Sequence, residues 1–150
     1  MEIAKEGSDK LDLTCKSNEH LVFVYGTLKR NFSYHDVMEK SIFIAEAITC
    51  DKFKLTESYV PEEERWIPYL SRTEGLVEVK GEIFKIDDKQ LEFLDEFEEV
   101  AEGMYTREKI KVKAKPSDEQ VDVWVYVGKN DGKYNIESGS FEGKRPKPTD

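Results

Sequence analysis

One acidic side chain stands on the apolar side of a predicted helix. The stretch from Asp87 to Glu98 predicts a helix, with Asp87 or Asp88 as its N-cap, because a side-chain oxygen there can accept from the free N–H groups of the first turn. A helix turns by about 100° per residue. Glu98 therefore projects on the same side as Leu91 and Leu94. The opposite side takes three further acids: Glu92, Glu96 and Glu99.

Two interpretations of Glu98 follow. If the helix reaches it, the carboxyl group lies among apolar side chains, where burial and neighbouring acids raise its pKa. A glutamic acid whose pKa is moved toward neutrality suits general acid–base catalysis. If the helix frays at Phe97, Glu98 turns to solvent. Helix geometry alone favours this second interpretation, because helix ends are the least certain part of such a prediction.

A second candidate site is the turn Tyr25-Gly26-Thr27-Leu28, which follows an apolar strand. Gly26 lets the backbone approach a ligand, since it has no Cβ. Successive N–H groups in such a turn can form a nest for a carboxylate or an oxyanion. Lys29 and Arg30 would add positive potential. The alternative is an ordinary turn between a strand and a loop.

The remaining reactive residue types form no recognisable motif. His20 and His35 lack the carboxylate or cysteine spacing of a metal site, and Cys15 and Cys50 cannot build a disulfide framework. No phosphate loop or dinucleotide fingerprint is present. Glu82 is the next carboxylate that could face a cavity shared with Glu98, although solvent is the expected location.

The secondary structure that must position these residues is predicted to consist mainly of β-strands. Predicted strands cover Leu21–Tyr25, Ile42 to Cys50 with an extension to Leu55, Leu76–Ile86 with a bulge at Gly81, Thr106–Lys113 and Val121–Val127. A short helix is expected at Ser33–Lys40 and a loop at 56–65, and Pro68 keeps its segment off a central ladder. Five or six strands with only two helices favour class α+β, a small mixed β-barrel with two or more flanking helices.

Composition narrows the class of protein. The chain has 150 residues, which suits one domain, and a net charge of 23 − 32 = −9. This charge disfavours nucleic acids and anionic membranes as partners. We expect a soluble, cytoplasmic monomer. The apolar residues concentrate between positions 21 and 127, so we expect a domain at 20–127, a flexible extension at 1–19 and a flexible tail at 128–150.

Four segments occur in order along the chain: Val22-Phe23-Val24-Tyr25-Gly26-Thr27-Leu28-Lys29-Arg30, Gly81-Glu82-Ile83-Phe84, Leu94-Asp95-Glu96-Phe97-Glu98 and Tyr105-Thr106-Arg107. Together they resemble the gamma-glutamylcyclotransferase-like family over about residues 20–127. Trp66–Leu70 is similar to the branch that acts on gamma-glutamylamines. One departure is Asn31, where the family often has glycine; asparagine tolerates positive φ well.

The resemblance implies a barrel with a cavity at its rim. It implies that Glu98 is the acid–base residue, that Tyr25, Gly26, Thr27, Leu28 and Tyr105 bind the substrate, and that no metal or organic cofactor takes part. The implied reaction releases 5-oxoproline and a free amine from gamma-glutamyl compounds, of which gamma-glutamylamines such as gamma-glutamyl-ε-lysine are favoured. The alternatives are other gamma-glutamyl peptides as substrates, or a non-catalytic binding module on the same barrel.

Overall fold

The computed structural model describes residues 11–73 and 75–148 and contains a closed five-stranded β-barrel. Its strands run in the order β1-β5-β2-β6-β7, with bounds β1 Glu19–Val24, β2 Ile42–Thr49, β5 Lys80–Asp87, β6 Tyr105–Ala114 and β7 Glu119–Gly128. Neighbouring strands are antiparallel except at the closure, where Val22 of β1 pairs in parallel with Trp124 of β7. The structure confirms the predicted α+β barrel.

Strand β1 is buried on both faces, which explains its continuous apolar run. Leu21 and Phe23 pack in the barrel core. Val22 and Val24 belong to a second core that also contains Leu94 of the flanking helix. Because neither face of residues 21–24 meets water, no polar residue interrupts this part of the strand.

A second, three-stranded sheet has the order β4-β3-β8, with bounds β3 Lys54–Val60, β4 Arg65–Ser71 and β8 Tyr134–Asn135. The prediction of a loop over 56–65 was wrong, because β3 and β4 form a hairpin in which Glu57 pairs with Pro68. The loop shrinks to positions 61–64, where Glu64 takes the left-handed conformation with φ 53°. Pro68 lies on edge strand β4, as its missing N–H predicts.

Within the described ranges, one α-helix and one short 3-10 helix flank the barrel. Helix α1 spans Asp88–Phe97 and has Asp87 as its N-cap, in a capping box closed by Gln90. Its buried residues are Leu91 and Leu94, as predicted. The segment predicted as a short helix forms only the four-residue 3-10 helix His35–Met38.

Gly81 serves close packing, which corrects the prediction of a bulge there. Gly81 pairs regularly with Ala47, whereas the register shift lies in β2 between Phe43 and Ala45. A Cβ at Gly81 would come within 2.7 Å of the Phe23 ring and 2.4 Å of the Val24 carbonyl oxygen. Only glycine allows β5 to pass this close to β1.

Segments near both limits of the described residues pack against the rest of the fold. Residues 1–10 of the expected extension lie outside the described residues, while Leu11 and Leu13 pack against the barrel core. The segment 134–145 lies within the tail expected at 128–150 and packs on the second sheet: β8 pairs with β3, and Ile136 and Phe141 are buried. In the part of the chain that is described, no helix is long and apolar enough to cross a membrane.

Candidate active site

A cavity of about 520 Å³ opens at the rim of the barrel. It lies between the end of β1, the β3–β4 hairpin and the last turn of α1. All six residues predicted to form the site line it: Tyr25, Gly26, Thr27, Leu28, Glu98 and Tyr105. The structure therefore brings together residues that are up to 80 positions apart, from Tyr25 to Tyr105.

Glu98 caps the C-terminus of α1 and is partly buried. Its N–H donates to the Leu94 carbonyl at 2.8 Å, so the helical hydrogen bonding extends to it although the helix ends at Phe97. The following residue, Glu99, is left-handed with φ 55°. The N–H of Glu99 donates to Glu96 and that of Val100 to Asp95, which is the Schellman arrangement. The chain turns sharply here and leaves the Glu98 side chain in the cavity.

This environment raises the pKa of Glu98 to about 7. Burial is the largest cause, since it disfavours the charged form, and the negative charge of Glu99 acts in the same direction. Arg65 opposes both. A carboxyl group with this pKa is about half ionised at neutral pH, so it can both accept and donate a proton.

The turn after β1 presents free backbone donors. Within the described residues, no turn, loop or side-chain hydrogen bond is donated by the N–H groups of Gly26, Thr27 or Leu28. Hydrogen bonds to its carbonyl groups fix the turn: Tyr34 N–H donates to the Thr27 carbonyl at 2.9 Å, and His35 Nδ1 lies 2.9 Å from the Leu28 carbonyl. A fixed turn with unpaired N–H groups can bind an anion or a polarised carbonyl.

Gly26 is required by a neighbour rather than by a ligand alone. A Cβ there would lie 2.4 Å from Cγ of Pro68 on β4. The turn thus packs directly on the proline of the second sheet. The sequence analysis gave Gly26 a role in ligand approach and did not anticipate this contact.

Buried tyrosine hydroxyls tie the cavity wall together. Tyr25 donates to the Tyr126 carbonyl at 2.7 Å and accepts from Leu70 N–H, and Tyr105 donates to the Pro68 carbonyl at 2.9 Å. Tyr105 also stacks on Tyr69, with centroids 5.7 Å apart. Burial raises the pKa of Tyr25 and Tyr105 far above the usual value, so both hydroxyls stay protonated.

Asp95 anchors the end of α1 to the barrel. Its carboxylate accepts from the Tyr126 hydroxyl at 2.8 Å and lies 3.5 Å from Nε of Arg107. Tyr126 itself lines the cavity. Sequence patterns predict no role for Asp95 or Arg107, because their contact joins elements that are distant in sequence.

Lys29 and Arg30, expected to add positive potential at the turn, do not line the cavity, and Glu82, expected in solvent, is buried instead. Lys29 is buried and donates to the Phe141 carbonyl at 3.0 Å. The Glu82 carboxylate accepts from the backbone N–H and Nε of Arg30, at 2.9 and 3.3 Å. None of the three lines the cavity. Asn31 has φ 70°, so it takes the conformation for which glycine was expected.

A cation that the sequence analysis missed lies at the open end of the cavity. Arg65 begins β4, and its Nε and Nη2 each lie 2.7 Å from Oε1 of Glu63. The guanidinium also lies over the Tyr34 ring, 4.2 Å from its centroid. Among residues 11–73 and 75–148, no group of three or more His, Cys, Asp or Glu side chains could hold a metal ion.

The chemistry of these residues is suited to proton transfer at a carbonyl group. A carboxyl group with a near-neutral pKa, free amide donors and neutral hydroxyls share one partly enclosed cavity. Sites that transfer protons and stabilise an oxyanion need these groups.

Comparison with known proteins places the chain in a family. The family model described as gamma-glutamyl cyclotransferase, AIG2-like, matches residues 22–143, so the chain belongs to this family. The chain is 38% identical over 108 residues to gamma-glutamylaminecyclotransferase A of Danio rerio. The aligned region covers 70% of this chain and 66% of that protein. It is 35% identical over 100 residues to the gamma-glutamylaminecyclotransferase of Homo sapiens, covering 61% of each.

A solved structure shows the same fold. The crystal structure of an AIG2-like protein from Mus musculus has a TM-score of 0.72 with 30% sequence identity, over 86% of this chain and 92% of that one. The matches to the first two curated relatives span 66% and 53% of their length.

Proposed function

We propose that the protein is a cyclotransferase that converts gamma-glutamylamines into 5-oxoproline and a free amine. One observation carries this proposal. The Glu98 carboxyl group, which has a raised pKa, lines the same cavity as the Tyr25–Leu28 turn with its free N–H groups. Family membership and the names of the relatives agree with this chemistry.

The reaction is intramolecular. The α-amine of the gamma-glutamyl group attacks its own γ-carbonyl carbon, a lactam C–N bond forms and the bond to the amine breaks. Because both reactants belong to one molecule, the enzyme has only to hold the folded-back conformer and to move protons. Glu98 as a carboxylate accepts the proton from the substrate ammonium. The resulting carboxylic acid donates this proton to the departing amine. The attacking nitrogen releases its second proton as the lactam forms, and the free amine takes up a proton from water.

The other cavity residues bind and orient the substrate. The N–H groups of Gly26, Thr27 and Leu28 offer hydrogen bonds either to the α-carboxylate of the substrate or to the oxyanion that develops on its γ-carbonyl. Tyr25 and Tyr105 form the walls against which the glutamyl group packs. In this proposal the enzyme works as a cytoplasmic monomer, without a metal or organic cofactor.

Replacement of Glu98 tests the proposal. Glu98→Gln retains the shape of the side chain but cannot transfer protons, so kcat for release of 5-oxoproline should fall by at least about 10²–10⁴-fold. Glu96→Gln, on the exposed side of α1, is the matched control and should change kcat less than about threefold. Activity should survive dialysis against a strong chelator.

The substrate panel contains gamma-glutamyl-ε-lysine, gamma-glutamyl-α-amino acids and glutathione. We expect the highest kcat/KM for gamma-glutamyl-ε-lysine. Absence of 5-oxoproline from every compound would favour a binding module without activity. Equal losses in the Glu98 and Glu96 variants would remove Glu98 from the mechanism.

A further inference from the structure

Arg65 occupies a junction between two cavities. It lines the candidate active site and also a neighbouring cavity of about 550 Å³, and Thr27 is the other residue that the two share. Among the described residues that line the active-site cavity, Arg65 is the one basic side chain. An anionic part of a substrate that enters this cavity therefore meets Arg65.

The guanidinium of Arg65 is held in a fixed orientation. Glu63 binds its Nε and Nη2 edge, and the Tyr34 ring supports its face. An arginine has five N–H donors. No hydrogen bond or ion pair of Nη1 occurs within the described part of the chain. A prearranged donor is thus available, and less conformational entropy is lost when it binds a ligand.

The cavity has a buried end and an open end. Tyr25 and Tyr105 are almost fully buried, whereas the side chains of Arg65 and Glu63 are 20% and 46% exposed. Cyclisation takes place in the glutamyl half, which must reach the Tyr25–Leu28 turn and Glu98. The amine must depart through an exposed part of the cavity wall, and Arg65 and Glu63 form one such part.

We propose that Arg65 determines substrate specificity by binding a carboxylate carried by the departing amine. This inference rests on the proposed function. Arg65 would favour substrates in which the glutamyl group is attached to the side-chain amine of an amino acid, as in gamma-glutamyl-ε-lysine. Gamma-glutamyl compounds of simple diamines, which lack the carboxylate, would be disfavoured. Glu63 and Glu99, which line the same cavity, suit the ammonium of such an amino acid.

Two substrates isolate the carboxylate. Gamma-glutamyl-ε-lysine and gamma-glutamylcadaverine share the glutamyl group, the alkyl chain and the distal ammonium, and only the first carries the carboxylate. The measured quantity is the ratio of their kcat/KM values. An effect of Arg65 on the proton transfers of Glu98 is common to both substrates and cancels in the ratio.

The wild-type enzyme should favour the lysine compound, and Arg65→Met should lower the ratio by about tenfold, the loss expected for one charge-assisted hydrogen bond. Arg65→Lys, which keeps the charge without the planar donor edge, should give an intermediate ratio. Arg72→Met, which removes a cation from the same strand region outside both cavities, should leave the ratio unchanged.

A change below about threefold in Arg65→Met overturns the inference. So does an equal loss for both substrates, because Arg65 would then act on a feature that the two substrates share and not on the carboxylate of the departing amine. Failure of the wild-type enzyme to cyclise either compound contradicts the proposed function instead. The two failures are therefore distinguishable.

Discussion

Glu98 is surrounded by groups that act on its charge in opposite directions. Burial and Glu99 raise its pKa, and Arg65 lowers it. Arg65 and Glu99 can each be replaced by a single substitution that leaves the Glu98 carboxyl group in place. The proposed base can therefore be tuned separately from the fold.

The pH profile should report the ionisation of Glu98. The base must be deprotonated to accept the ammonium proton, so kcat/KM should rise with pH and level off above about 7. Glu99→Gln removes a like charge, lowers the pKa of Glu98 and should move this rise to lower pH. Glu92→Gln on the exposed side of α1 is the control. A rise at the same pH in all three proteins would show that another group is titrating.

The stability of Glu98→Gln should depend on pH in a defined sense. The folded protein retains the Glu98 proton up to about pH 7, whereas the unfolded chain releases it near the ordinary value of 4.5. The wild type therefore loses stability as the pH rises through this interval, because the unfolded state binds fewer protons.

Glutamine does not ionise and avoids this loss. The free energy of unfolding of Glu98→Gln, relative to that of the wild type, should be about 1–3 kcal/mol more favourable above the Glu98 pKa than at acidic pH. Urea unfolding at both pH values measures the difference. Glu96→Gln, on the exposed side of α1, is the control variant. A stability difference of Glu98→Gln that does not change with pH would mean that Glu98 ionises normally.

At the scale of elements, the end of α1 is the part that positions the proposed base. The left-handed Glu99 ends the helix, and Asp95 fixes the preceding turn to β7 through Tyr126. A residue other than glycine in the left-handed conformation is strained. This strain is located directly next to Glu98.

Glu99→Gly should therefore stabilise the protein. Glycine adopts the left-handed conformation at no steric cost, and the substitution also removes a negative charge from the helix C-terminus. We expect a gain of about 0.5–1 kcal/mol in the free energy of unfolding. Glu96→Gly, inside the helix, should instead cost about 1 kcal/mol. Chemical denaturation measures both, and a loss in Glu99→Gly would contradict the strain argument.

Local sequence patterns predicted the elements whose residue pattern does not depend on contacts with distant parts of the chain. The alternation of Val121, Val123, Val125 and Val127 gave β7, and the capping signal at Asp87 gave the start of α1. The β3–β4 hairpin was missed because Glu57 is buried through an ion pair with Arg145, 88 positions away. Arg65 was missed for a similar reason, since its place at the cavity depends on that hairpin.

At the scale of the molecule, the C-terminal segment completes the second sheet. Trp66 Nε1 donates to the Arg145 carbonyl at 2.7 Å, and the Arg145 guanidinium pairs with the buried Glu57 at 2.9 Å. Phe141 is almost fully buried. The division into 1–19, 20–127 and 128–150 stays a prediction, and limited proteolysis tests it; these contacts favour a protected fragment that extends past Phe141.

Phe141→Ala should destabilise the whole protein. The substitution leaves a cavity in the core that β8 and the barrel share, at a cost of about 3–5 kcal/mol. Thermal unfolding measures the change. Lys144→Ala, three positions along the same segment and exposed, should change stability by less than about 0.5 kcal/mol. A small effect of Phe141→Ala would show that the segment adds little to the fold.

Closure of the barrel determines when the site can form during folding. Strand β1 has β5 and β7 as its partners, so its nearest hydrogen-bonded partner strand begins at Lys80 and the other begins at Glu119. The hairpins β3–β4 and β6–β7 join neighbours in sequence and can form early, whereas pairing over such long separations is slow. The Tyr25–Leu28 turn follows β1 directly and takes its place only when these last strands pair. On a ribosome, most of the chain must therefore emerge before the first strand can pair with both of its partners, and the candidate site is complete only after that pairing.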